Sequence, residues 1–116
     1  ELLGEKNLVV SFFATWCVPC AKEIPELIKM SKEFGDDFQF ILVDVNEKRD
    51  LVKKHVAEKR IPLQVILDKY GKVFESFSGV TLPLLVVIDK KGQITYHHTG
   101  YVKGDEKKLL EHLKTL

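Results

Sequence analysis

Leu8-Val9-Val10-Ser11-Phe12-Phe13-Ala14 is almost continuously apolar and runs straight into Trp16-Cys17-Val18-Pro19-Cys20. Such a run, bounded by Gly4-Glu5-Lys6-Asn7, reads as a buried strand. Behind the cysteines, Ile24, Leu27, Ile28 and Phe34 recur at helical spacing, with Lys22, Lys29 and Lys32 largely on other positions. Pro25 interrupts that pattern and is expected to kink the helix or separate its first turn. Gly35-Asp36-Asp37 ends it, and Phe38-Gln39-Phe40-Ile41-Leu42-Val43-Asp44-Val45 reads as a second buried strand. Strand, helix and strand within about 40 residues make a βαβ unit, whose strands are parallel and whose crossover is right-handed. The two cysteines therefore sit at a strand-to-helix junction.

Beyond this unit, Leu51, Val52, His55 and Val56 mark a helix in the charged segment Glu47 to Arg60, stopped by Ile61-Pro62. Leu63–Leu67 reads as a short strand, and the proline at its start suits a sheet edge. Asp68-Lys69-Tyr70-Gly71 is a turn, and Val73-Phe74 to Ser78-Gly79 is a short helix or an irregular link. Leu84–Ile88 and Gln93–His97 flank Asp89-Lys90-Lys91-Gly92 as a hairpin. Gly104-Asp105 caps a last helix, with Leu109, Leu110, Leu113 and Leu116 on one face. The expected fold is α/β, a mixed sheet flanked by helices, in one domain over residues 1–116.

With 18 basic and 17 acidic residues among 116, no global field draws in nucleic acid or an anionic membrane. No apolar run approaches the roughly 20 residues of a membrane span. Glu1-Leu2-Leu3-Gly4 has neither the basic start nor the apolar stretch of a signal peptide. The first residue is Glu rather than Met, which suits a processed or trimmed form, and the sequence neither shows nor excludes a lost signal or anchor.

The chain has only 2 cysteines, Cys17 and Cys20. The loop between them is too short to staple a fold of this size. At a strand-to-helix junction, the first sulfur stands at a helix N-terminus, where unpaired N–H groups and the positive end of the dipole favour a thiolate. The pair reads as a dithiol/disulfide redox couple.

The order of elements, with Trp-Cys-x-Pro-Cys after the first buried strand, resembles the thioredoxin superfamily. Gly79-Val80-Thr81-Leu82-Pro83, just ahead of the hairpin, carries the likeness further, because a cis-proline beside the cysteines occupies that place in the superfamily. A trans proline simply opening a strand is the other reading of Pro83. Within the superfamily, Phe12–Cys17, Cys20-Ala21-Lys22-Glu23-Ile24-Pro25, Asp89-Lys90-Lys91-Gly92 and the Glu47–Leu67 segment resemble the TlpA/ResA/CcmG-like extracytoplasmic thiol–disulfide oxidoreductases. That likeness implies a thioredoxin fold with a helix-strand insertion between its βαβ and ββα halves. The chain departs from that group in having only seven residues before Leu8, where relatives usually carry a β-hairpin. It also carries Leu82 and Leu84 around Pro83, where many relatives have small residues.

The resemblance assigns Cys17 as the exposed attacking thiolate and Cys20 as the buried resolving thiol. Pro19 fits the first helical turn. Trp16 either shields the pair and shapes the docking surface or packs in the core, and Leu82 offers its backbone to an extended substrate beside Pro83. Val18 and Pro19 have no side chain that donates to sulfur, which favours reduction over oxidation. In classical thioredoxins a buried Asp on the preceding strand takes the proton of the resolving thiol. The matching residue here is Ser11, so Glu23, one helical turn after Cys20, is the candidate base. The competing reading makes Glu23 an exposed glutamate paired with Lys22 or another lysine.

His97 and His98, adjacent on a strand, point to opposite faces and are not expected to join the cysteines in a metal site. His55 and His112 read as helix-surface residues, and no Gly-rich phosphate loop is present. Neither cofactor nor metal is implied. The expected activity is reduction of protein disulfides in the periplasm or another extracytoplasmic space. By resemblance, the client is apocytochrome c during cytochrome c maturation and the electron source a membrane thiol-transfer reductant. A general thioredoxin-like reductase, a thiol oxidase, and a module that binds cysteine-containing chains without turnover are the alternatives.

Overall fold

The computed structural model describes residues 5–116, so Gly4 at the expected turn and the Glu1–Gly4 segment lie outside the described residues. β1 (Asn7–Phe13), α1 (Val18–Phe34) and β2 (Phe38–Val45) form the expected βαβ unit. α2 (Arg49–Glu58), β3 (Gln64–Asp68) and a short α3 (Lys72–Ser76) follow, and then β4 (Leu84–Ile88), β5 (Ile94–Thr99) and α4 (Asp105–Leu113). The strands make one sheet in the order β3-β2-β1-β4-β5. β1 is parallel to β2 and antiparallel to β4, and β3 joins β2 in parallel at the edge. Among the described residues no helix is long and apolar enough to cross a membrane.

Every residue of β1 is buried, as its apolar sequence requires of a central strand. Strand side chains alternate between faces, so the sheet separates two apolar layers. On one side Val9, Phe13 and Leu42 meet Ile24, Leu27 and Met30 of α1 and Leu109 and Leu113 of α4. On the other, Val10, Phe12, Val43 and Leu84 meet Phe74 of α3. Phe74 packs against Phe12 with ring centroids 5.6 Å apart. Gly71 has no side chain to cap α3, and the buried Asp68 substitutes for it, accepting from Val73 N at 3.2 Å and Phe74 N at 2.8 Å.

Several expectations are corrected. Helix α1 runs unbroken through the exposed Pro25, so its first turn is not separated from the rest. Helix α2 starts later than expected because Glu47 lies outside it, bonded to Thr15. Leu116 is exposed, since α4 ends at Leu113. His112 is half-buried, because α4 crosses β5: its Nε2 lies 2.8 Å from Thr95 Oγ1 and its ring 5.0 Å from that of Tyr96. His55 is half-buried as well, with its ring 6.5 Å from Phe13. The expected hairpin forms around Asp89, whose Oδ1 accepts from Lys91 N and Gln93 N at 2.9 Å each.

Candidate active site

β1 ends at Phe13, and Cys17 N donates back to the Ala14 carbonyl at 3.1 Å, turning the chain into α1. Cys17 is the N-cap of that helix, with extended backbone, and its Sγ accepts from Cys20 N at 3.3 Å. Pro19 lies in the first turn, where no acidic residue competes for the positive end of the dipole. Cys17 and Cys20 are joined in a disulfide. The expected exposure of Cys17 does not hold in this oxidised form. Cys17 is 4% exposed with its sulfur bonded to Cys20.

Cys17 is reached through a cleft of about 600 Å³ whose rim includes Trp16, Val18, Pro19, Val80 and Leu82. Trp16 is 71% exposed, which removes the reading of it as a core residue. The Leu82-Pro83 peptide is cis. Pro83 is fully buried behind the cleft, and its carbonyl accepts from Gly100 N at 2.7 Å. The expectations missed Phe74 and Val80, which reach the cleft from α3 and the loop after it. Phe74 left only apolar character in a connecting segment, whereas Val80 lies in the Gly79–Pro83 segment that the resemblance already set beside the cysteines.

Glu23 is 3% exposed, on the face of α1 that also buries Cys20, Ile24, Leu27 and Met30. The reading as an exposed glutamate paired with a lysine is therefore overturned. Ser11 Oγ donates to Glu23 Oε1 at 2.8 Å. Burial raises the Glu23 carboxyl, the Ser11 bond opposes this, and the charge of Asp105 adds to it, leaving a pKa of about 7. His97 and His98 point to opposite faces: His97 Nε2 donates to the Phe77 carbonyl at 2.8 Å, and His98 Nε2 to Asp105 Oδ2 at 3.0 Å. Such an arrangement can do thiol–disulfide chemistry: a sulfur pair at a helix N-terminus, an apolar cleft for a partner chain, and a protonatable group one turn behind.

The Redoxin family profile matches residues 1–113. The thiol-disulfide oxidoreductase ResA of Bacillus thuringiensis subsp. konkukian is 33% identical over 116 residues, which cover 96% of this chain and 64% of that protein. Chloroplastic thioredoxin Y of Oryza sativa subsp. japonica is 35% identical over 81 residues, covering 68% of this chain and 47% of that protein. The chain thus spans about half to two thirds of the length of these curated relatives. Among solved structures, the exposed lipoprotein thioredoxin of Streptococcus pneumoniae matches with a TM-score of 0.85 and 26% identity, over 97% of this chain and 87% of that one.

Proposed function

This chain belongs to the Redoxin family and has a thioredoxin-like fold, and from that premise we propose that it is a thiol–disulfide oxidoreductase working as a reductase of protein disulfides. The observation that carries the reading is the Cys17–Cys20 disulfide in the first turn of α1, with the N-cap Cys17 lining an apolar cleft. The sheet takes strands from Asn7 to Thr99, which supports residues 1–116 as one domain.

In the reduced protein the Cys17 thiolate attacks one sulfur of a substrate disulfide and expels the other as a thiolate. Cys20 then loses its proton, attacks Cys17 and releases the reduced substrate, leaving the Cys17–Cys20 disulfide. Glu23 accepts the Cys20 proton, a task suited to a carboxyl poised near neutrality. Trp16, Val18, Pro19 and Leu82 hold the substrate chain along the cleft, with Pro83 fixing the Leu82 backbone beside it. Val18 and Pro19 give the thiolate no side-chain donor, which favours the reductive direction.

The proposed setting is the periplasm or another extracytoplasmic space. ResA-like character of the whole chain supports this, as does the likeness to an exposed lipoprotein. The proposed client, following the resemblance, is the Cys-x-x-Cys-His segment of apocytochrome c, with a membrane thiol-transfer protein as reductant. Insulin reduction coupled to a measured reduction potential tests the activity. A potential well below the roughly −180 to −210 mV of an oxidising secretory compartment supports a reductase, and one near roughly −120 mV makes it an oxidase. Absence of turnover leaves a binding module. The variant Cys20→Ser should trap clients as mixed disulfides on Cys17, and recovery of no cytochrome precursor from a c-type-cytochrome-producing cell counts against that client.

A further inference from the structure

Asp44 near the end of β2 is 0% exposed, and neither carboxyl oxygen meets a donor among the described residues. It stands in register with Phe13, the last residue of β1 before the redox turn. A buried carboxylate with no partner is unfavourable enough that the group keeps its proton instead. A protonated carboxyl then needs an acceptor; Asp44 is in register with Phe13 and Glu47 is bonded to Thr15, two residues beyond Phe13, which brings the Glu47 carboxyl to the same end of the β1–β2 pair. Glu47 already accepts twice: Oε1 from Thr15 N at 2.7 Å and Oε2 from Thr15 Oγ1 at 2.6 Å. Two acceptors cannot bond each other unless one carries a proton, and Glu47's bonds from Thr15 favour its charged form.

We propose that Asp44 and Glu47 share one proton and act as a positioning pair for the redox turn, holding Thr15 and hence Trp16-Cys17 in place while the proton stays. This rests on the reading of Cys17 and Cys20 as the redox couple. Burial, then the bond and charge of Glu47, push Asp44 up to about 8. Partial burial opposes the charge on Glu47, but the bonds from Asp44 and Thr15 and the nearby His55 outweigh it and hold the carboxyl below its usual range. His55 is the titratable group that α2 brings to the pair. Helix α1, over the same face of the sheet, brings Cys17, Cys20 and Glu23, and the β3 residue in register with Asp44 is the uncharged Leu67. When the proton leaves, two like charges face each other and the Thr15 anchor loosens.

The test is NMR of the oxidised protein from about pH 3 to about pH 9.5, following the Asp44 carboxyl carbon and the Thr15 amide. The wild type should show both moving in one step near 8. Protection of the Thr15 amide should fall about tenfold across it, beyond ordinary base catalysis. The variant Asp44→Asn keeps a donor toward Glu47 and should hold Thr15 in its low-pH state throughout. Glu47→Gln should shift the Thr15 amide at every pH and abolish the step. An Asp44 carbon titrating in the ordinary carboxyl range, or a Thr15 amide step that persists in Asp44→Asn, overturns the pair. A Thr15 step in a protein that reduces no disulfide supports the pair and removes the redox reading instead, so the two failures are distinguishable.

Discussion

Ser11 Oγ donates to Glu23 Oε1 at 2.8 Å, joining β1 to α1 inside a largely apolar layer. One hydrogen bond does not offset the burial of a carboxyl, so Glu23 is held near 7 and exchanges protons at neutral pH. Glu23→Gln keeps the shape and still accepts from Ser11. It should slow resolution by Cys20 about 10²-fold and remove the rate step near 7. Stopped-flow reduction of a disulfide across the pH range measures both effects, and an unchanged profile takes Glu23 out of the mechanism.

Ser11→Ala acts on the same carboxyl with the opposite emphasis. The Ser11 bond is what favours the charged form of Glu23, so its loss should raise the Glu23 pKa by about one unit. The pH–rate step should move alkaline, and the Glu23 carboxyl carbon should follow in NMR. A step that stays in place would mean that another donor replaces Ser11.

At the mouth of the cleft Val80 is 84% exposed, opposite Trp16 and Val18. An apolar rim of this kind is expected to meet apolar parts of a substrate chain. Val80→Asp should lower kcat/KM for a protein disulfide about tenfold, yet leave stability within about 0.5 kcal/mol and small-disulfide reduction unchanged. Equal loss on insulin and on a small disulfide would show that Val80 acts on the sulfurs rather than on docking.

Much of this was legible in the sequence, for identifiable reasons. The runs Leu8–Ala14 and Phe38–Val45 are apolar because both faces of the central strands are covered, so pattern alone found β1 and β2. The spacing from Cys20 to Glu23 placed the carboxylate on the cysteine face of α1, because helical period is a local property. Its bond from Ser11 depends on how α1 lies over β1, which no local pattern encodes. Asp44 did leave a signal, a lone acid within a buried strand. The role of Glu47 was hidden, because it read as the start of a helix rather than as the acceptor for Thr15. Phe74 joins the cleft only through the crossing that puts α3 on the far face of the sheet.

Gly79 sits against the ring of Phe74, and a Cβ at Gly79 would overlap that ring. Phe74 cannot swing away easily, since it packs on Phe12 and its own N–H is held by Asp68 Oδ2 at 2.8 Å. Gly79→Ala should therefore cost about 1–3 kcal/mol by overpacking. It should also distort the cleft wall and raise KM for protein substrates. Chemical denaturation with parallel insulin kinetics checks both, and wild-type stability would mean that the Val80 loop, not Phe74, yields.

Glu23 and Asp44 together set the pH dependence of stability. Their folded-state values, about 7 and about 8, lie above the ordinary 4.5 and 3.8. Between those limits the folded protein binds more protons than the unfolded chain, so the contribution is full below about pH 4 and fades as pH rises through the folded values. Each group can remove at most about 1.4 kcal/mol per pH unit in its window. Glu47, Asp105 and Glu106 are shifted down, so their contributions are lost at the acid end and do not oppose this slope above about pH 5. Denaturant melts of the oxidised protein should therefore give a higher midpoint at about pH 5.5 than at about pH 8, and Glu23→Gln with Asp44→Asn should flatten the difference. A wild-type midpoint that rises over this interval would mean that these carboxyls are already ionised in the fold.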